Sequence, residues 1–345
     1  MRKHLFKSLT LLLLTFSLAA CANNESTATS NVSLQIDSNK KYVGFLIDTL
    51  QQDRWYKDKD MFEAAVLELG AEVKTMAANG SNDVQIKQAQ LLIDEGVDVL
   101  VVVPYDAEAT SVIVEMAHEA GVKVISYDRL IKNAEVDYYI SFDNEKVGQL
   151  QAEEILKPVN KGKFAYIGGD QKDNNAILFR QGAMNVLQPL VDKGDIQIVY
   201  DEYAEGWREK EAEAHMTKAL QLTGNDIQAV ISANDSNASG ALRALERVNL
   251  SVPISGQDAD VPALQRIVKG TQTMTVYKPI HSIAQGAAKL AIQVANEEAI
   301  STETTTNNGK VEVPTILLEP TVVTKNNIKE TVIKDKQVTE QEIYK

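Results

Sequence analysis

From Lys41 onward, short apolar, β-branched runs alternate with longer segments of helical period. The strand-like runs are Tyr42–Asp48, Val97–Pro104, Val122–Asp128, Asp137–Asp143, Lys163–Asp170, Ile196–Tyr203, Ile227–Asp235, Pro253–Asp260 and Thr273–Pro279. Most are apolar at consecutive positions, as parallel strands covered by helices on both faces must be. Helix candidates lie between them. Asn82–Gly96 sets Val84, Ile86, Ala89, Leu92 and Ile93 mainly on one stripe and stops at Gly96. Asp106–Gly121 opens on a capping Asp and closes on Gly. Asn144–Pro158, Met61–Gly70 and the Ala-rich Ser282–Glu298 complete the set.

This alternation predicts an α/β fold of doubly wound parallel sheets with right-handed crossovers. The strand candidates outnumber the roughly five or six strands of an ordinary sheet, so they divide into two lobes. The expected N-terminal lobe is 41–143 plus 280–312, and the C-terminal lobe is 144–279 plus 313–335. Val313–Ile328 is extended, proline-marked and without a helix partner, and reads as a return crossing. Repeated crossings suit a hinge.

Composition sharpens the picture. The 345 residues are 44% hydrophobic, enough for two cores. A net charge of −13 argues against nucleic acid as a partner, since phosphates need Lys and Arg. Residues 1–20 have a basic start, a short apolar run and small residues before Cys21, the layout of a secretory signal peptide. Cys21 is the only cysteine, so no internal disulfide forms. Residues 21–40 are rich in Asn, Ser and Thr and read as a flexible tether.

The carboxyl ends of the strands, where open α/β sheets bind ligands, gather polar and aromatic residues. They carry Asp48 then Arg54-Trp55, Asp128-Arg129, Asp170 then Asp173 and Asn175, Gly206-Trp207, Asn234-Asp235, Gln257-Asp258 and Tyr277-Lys278. Any one Asp or Asn here could simply cap the next helix. Caps, however, need neither Arg nor Trp, and both tryptophans of the chain lie in this set. Carboxylates, amides and cations together suit sugar hydroxyls, which donate and accept at once. An indole suits the apolar C–H face of a pyranose. Either Arg54 or Trp55 would wall one side of such a ring, with Trp207 facing it from the other lobe. Core packing under the first helix is the other reading of Trp55.

An enzyme finds little support. There is no G-x-S-x-G elbow, no dinucleotide G-x-G-x-x-G in YIGGDQKDN, and His118, His215 and His281 are far apart in sequence. No catalytic residue, cofactor or metal is expected.

From about Lys41 to about Ile333 the chain resembles the bacterial periplasmic sugar-binding proteins of the ribose/galactose type, and within them the D-xylose-binding branch of ABC importers. DRWYKDKD, SYDRLI, DYYISFDNEKVGQLQA, DNNAILFRQG, EGW, ANDSNASG, SGQDAD and GTQTMTVYKPI carry the likeness, in order along the chain. The resemblance implies the type I periplasmic binding protein fold, two lobes joined by a three-segment hinge that close on the sugar. It implies that Arg54 and Trp55 meet the sugar, and that Asp128, Arg129, Asp173, Asn175, Asn234, Asp258 and Lys278 hold hydroxyls. Trp207 takes the stacking role. The charged loop Asp170-Gln171-Lys172 departs from the family pattern at the rim. Leu18-Ala19-Ala20-Cys21 resembles a lipoprotein box, implying diacylated Cys21 and an extracytoplasmic protein anchored to the membrane. The implied partners are a monosaccharide, D-xylose first, and an ABC transporter permease, served by a monomer. A sugar sensor presenting its closed form to a membrane histidine kinase or chemoreceptor stays open as the alternative.

Overall fold

The computed structural model describes residues 39–344. The leader, Cys21 and the tether up to Ser38 lie outside the described residues.

The first lobe begins with β1 (Tyr42–Ile47), α1 (Asp53–Glu68), β2 (Glu72–Ala77), α2 (Asn82–Asp94), β3 (Val99–Val102), α3 (Ser111–Glu119), β4 (Lys123–Tyr127) and β5 (Tyr138–Phe142). The chain then crosses into the second lobe with α4 (Asn144–Leu156), β6 (Gly162–Gly168), α5 (Asn174–Asp192), β7 (Ile196–Tyr203), α6 (Glu209–Thr223), β8 (Ala229–Ser232), α7 (Asp235–Arg247), α8 (Val261–Lys269) and β9 (Thr275–Tyr277). It returns through α9 (Ile280–Ala295), β10 (Thr304–Asn307) and β11 (Glu312–Leu318), and crosses again into β12 (Thr321–Val323) and α10 (Glu340–Ile343).

The first sheet has the order β10-β11-β5-β4-β3-β1-β2, parallel except for the β10–β11 hairpin. β1 and β3 are buried at every position, the mark of central strands covered on both faces. Phe62 and Val66 of α1 pack with Ile283 and Ala287 of α9 on one face. Ala89 and Leu92 of α2 pack with Ile113 and Val114 of α3 on the other. The second lobe repeats the plan around the parallel set β7-β6-β8. Its faces are covered by α4 with α5 and by α6 with α7. Each such Leu, Ile or Phe contributes about 1.5–3 kcal/mol by leaving water.

Three differences from the sequence reading have physical causes. The division expected at 312/313 falls at Glu319-Pro320, because β11 hydrogen-bonds along β5 and so belongs to the first sheet. Only β12 joins the second lobe, antiparallel to β9. The second lobe also runs past 335, since Ile343 packs in its core and Gln265 donates to the Glu342 carbonyl at 2.7 Å. Pro253–Asp260 is not a strand but two single bridges, at Ile254 and Gln257. The positive φ of Asp258 (98°) and Ala259 (55°) breaks its extended path.

Candidate functional site

The segments that follow the strands carry the polar residues of the cleft: Arg54 after β1, Asp128 and Arg129 after β4, Asp173 and Asn175 after β6, and Asn234 after β8. Arg54 is the second residue of α1 and is buried. Its guanidinium holds Asp58 one turn on (Nε to Oδ2, 3.2 Å), Asp128 after β4 (Nη2 to Oδ2, 3.0 Å) and Asp258 of the second lobe (Nη1 to Oδ1, 3.3 Å). Arg129 makes the second span between lobes. Its Nε lies 2.8 Å from Asp173 Oδ2, while Nη1 holds Asp48 and the Pro104 carbonyl. Asn175 adds a third, donating from Nδ2 to Asp128 Oδ1 at 3.0 Å. At the rim, Ala107 N donates to the Lys172 carbonyl at 3.0 Å. The Lys172 ammonium rests 5.5 Å from the centre of the Tyr105 ring.

These groups line a small polar cavity between the lobes. All ten site residues named from the sequence line it: Arg54, Trp55, Asp128, Arg129, Asp173, Asn175, Trp207, Asn234, Asp258 and Lys278. Gln52, Phe179 and Gln257 line it as well. Asp58 and Tyr127 stand behind Arg54, the Tyr127 hydroxyl donating to Asp58 Oδ1 at 2.6 Å. Asp58 carried a readable signal, its i+4 spacing from Arg54. Phe179 carried none, being one apolar residue in an apolar helix.

The two tryptophans differ. Trp55 belongs to the first-lobe core. It also faces the cavity, with the guanidinium carbons of Arg54 and Arg129 at 4.3 and 5.1 Å from its ring centre. Trp55 thus packs in the core and also lines the cavity. Trp207 sits in a short turn at φ 57°, after Gly206 at φ 64°. Its indole lies over Gly169, edge-on to Phe179 at 6.2 Å, and donates from Nε1 to Asp173 Oδ2 at 3.2 Å. Asp128 (58°), Trp207 (57°) and Asp258 (98°) all have positive φ. At these three positions the left-handed backbone costs energy that the surrounding contacts must offset.

Burial works against every charge here, and the partners decide the outcome. Burial pushes the Asp128 carboxyl up, but Arg54, Lys278 and Arg129 together bring it down to about 2. Burial pushes Asp173 upward against the pull of Arg129. Burial lowers Lys278, with Asp128 resisting. The Lys278 ammonium stands 3.6 Å from Asp128 and 3.9 Å from Asp258, beyond ordinary hydrogen-bond length. Asn234 spends its Oδ1 on the α7 cap, accepting from Asn237 N at 2.8 Å. Lys278 thus retains donor capacity toward the cavity. Opposite charges are paired across it, which favours a neutral, hydroxyl-rich ligand over an anion. Among the described residues no cluster of His, Cys, Asp and Glu could hold a metal ion, and no helix is long and apolar enough to cross a membrane.

Comparison with known proteins agrees with this construction. Residues 43–299 match the periplasmic binding protein domain. The chain is 48% identical over 295 residues to the D-xylose-binding periplasmic protein of Escherichia coli K12, covering 85% of this chain and 89% of that one. It is 45% identical over 304 residues to the protein of the same name from Haemophilus influenzae, covering 88% and 92%. Its fold is similar to that of a carbohydrate transporter solute-binding protein from Chloroflexus aurantiacus solved with D-glucose, at a TM-score of 0.83 and 29% identity over 88% of this chain and 98% of that one. With its two doubly wound lobes and a polar cavity between them, this chain belongs to the periplasmic binding protein family and is a binding protein, not an enzyme.

Proposed function

We propose that this chain captures D-xylose outside the cytoplasmic membrane, by closure of its lobes, and delivers it to an ABC transporter permease. One observation carries the reading: paired charges from both lobes converge on one small polar cavity, with an indole on either lobe. The similarity to D-xylose-binding proteins of two bacteria supports the choice of sugar. Arg54, Asp128, Arg129, Asp173, Asn175, Asn234, Asp258 and Lys278 hold or orient hydroxyls in this proposal, and Trp55 and Trp207 wall the ring. Charged hydrogen bonds contribute roughly 1.5–3 kcal/mol each. A few of them, after the closure cost, suffice for a micromolar dissociation constant, about −8.2 kcal/mol.

Arg54, Arg129, Asn175, Lys278, the Ala107–Lys172 pair and the bond from Lys57 to the Gln337 carbonyl span the cleft, and the chain crosses between the lobes at Asp143-Asn144, Lys278-Pro279 and Glu319-Pro320. Rotation about three short strands of chain would open the cavity and expose both rims. The closed form is then what the permease recognises, and a diacylated Cys21 keeps the monomer near it.

A thermal-shift panel of pentoses and hexoses tests the binding. Xylose at about 1,000 times its dissociation constant should stabilise the fold by about 4.1 kcal/mol. A panel in which no monosaccharide moves the transition would end the proposal. Anchoring has its own test: Cys21→Ala should abolish incorporation of labelled fatty acid and release the protein from the membrane fraction.

A further inference from the structure

Most polar atoms around the cavity are already engaged with one another. Asp173 accepts from Asn175 N, Trp207 Nε1 and Arg129, and the Asn175 amide is used at both ends, by Asn144 and Asp128. Besides the Lys278 ammonium, two cavity-lining groups break the pattern. Gln257 Oε1 and Trp55 Nε1 are buried and have no hydrogen-bond partner. Gln257 is 2% exposed. A buried amide oxygen without a partner is costly, so folded chains rarely retain one. An apolar side chain of similar length would fill the same space without that cost.

The position of Gln257 is also fixed. Its carbonyl accepts from Asp235 N at 3.0 Å, its backbone forms a parallel bridge to Val276, and positive φ at Asp258 and Ala259 holds the chain beyond it. The side chain is therefore held at the cavity wall beside Asp258, a preorganised arrangement.

We infer that Gln257 is a ligand-contacting, specificity-determining residue, its Oε1 accepting from one hydroxyl of the bound ring while Trp55 Nε1 donates to a ring oxygen. This rests on the sugar reading above. A site built to bond a hydroxyl rejects the analogue that lacks it, because its own polar group is then left unpaired. Gln257 thus reads the presence of one hydroxyl.

The test is calorimetric titration of wild type and Gln257→Leu with D-xylose and each monodeoxyxylose. Wild type should bind one deoxy analogue at least about tenfold more weakly than xylose. Gln257→Leu should bind xylose weaker by a similar factor and lose most of that discrimination, while its unliganded Tm stays level or rises because the unpaired oxygen is gone. A purely structural role would instead lower Tm and weaken all the sugars alike, and that result overturns the inference. So does unchanged affinity for xylose. If the Leu variant does not fold, Gln257→Met is read in the same way. Absence of any sugar binding by wild type would sink the proposed function itself, whereas xylose binding without coupling at Gln257 sinks only this inference.

Discussion

Trp207 covers Gly169 so closely that a Cβ built on the glycine would stand 2.1 Å from the indole. No rotamer adjustment of a methyl relieves such an overlap; the ring must move, and with it the bond from Nε1 to Asp173. Gly169→Ala should therefore weaken xylose binding by roughly tenfold or more, as should Trp207→Ala, which removes the aromatic face outright. Calorimetry reads both, and an unchanged dissociation constant in either variant takes the indole out of the site. The same scale explains why so much of the site was legible in the sequence. Asp173 and Asn234 do cap α5 and α7, as an ordinary Asp or Asn before a helix would. The cap fixes the side chain at the cleft, so capping and cavity-lining coincide rather than compete. Gln257 was less legible, because an amide beside an Asp at a strand end has no distinguishing spacing; among the buried amides with an unpartnered oxygen, it is the one that lines the cavity.

Helix contacts place those residues. α4 and α5 cross with backbones touching: a Cβ on Gly148 would lie 1.8 Å from the Phe179 carbonyl oxygen, and one on Gly182 would lie 1.9 Å from that of Glu145. Neither neighbour is a flexible side chain, so α5 would have to withdraw, carrying Asn175 and Phe179 away from the cavity. Gly148→Ala should cost about 1–3 kcal/mol or more by urea denaturation, the usual range for overpacking. It should also weaken sugar binding. A variant with wild-type stability would show that the helices have slack. The elements that the sequence did reveal were those with a two-sided apolar run or a long apolar stripe. β2 escaped because Glu72–Ala77 is half-buried along its length at the sheet edge, with Glu and Lys among its residues. β11 was visible as extended chain, but nothing local assigned it to a sheet. Its partner β5 is more than a hundred residues away, and such pairing is written in the tertiary fold alone.

The whole molecule carries an acid cluster whose titration couples to folding. Asp235 is buried at the start of α7, and burial, with Asp258 nearby, pushes its carboxyl up to about 7 despite bonds from Asp260 N and Gln272. Burial and then the charge of Asp235 push Asp260 up as well, with Asp258 and, from the first lobe, Asp53 adding to it. A raised carboxyl pKa means that the folded state keeps a proton the unfolded chain gives up. Below about pH 4 both states hold it and this contribution is complete. As pH rises from about 4 toward 7 the unfolded chain ionises first, and stability falls with a slope of about 1.36 kcal/mol per pH unit per proton retained. Asp48, Asp58 and Asp173 are raised too and act in the same direction. So does the growing repulsion of a chain whose net charge is already −13 at pH 7. Asp128 works the other way, being held down to about 2, so its contribution is present above about pH 4 and fades only as pH falls through 2. Glu95, Asp195, Glu213 and Asp226, held down by Lys and Arg partners, also oppose the fall, but they lie at the surface where solvent screens them. The buried acids therefore shift the expected stability maximum toward mild acid. Scanning calorimetry should find Tm falling between about pH 4.5 and 7.5, by an amount equivalent to a few kcal/mol. Asp260→Asn should flatten that fall, since it removes one acid of the coupled pair while leaving the backbone N–H that Asp235 accepts. A wild-type Tm that is level or rising across this range would show that the cluster is ionised in the folded state, and an undiminished slope in Asp260→Asn would place the titrating acid elsewhere.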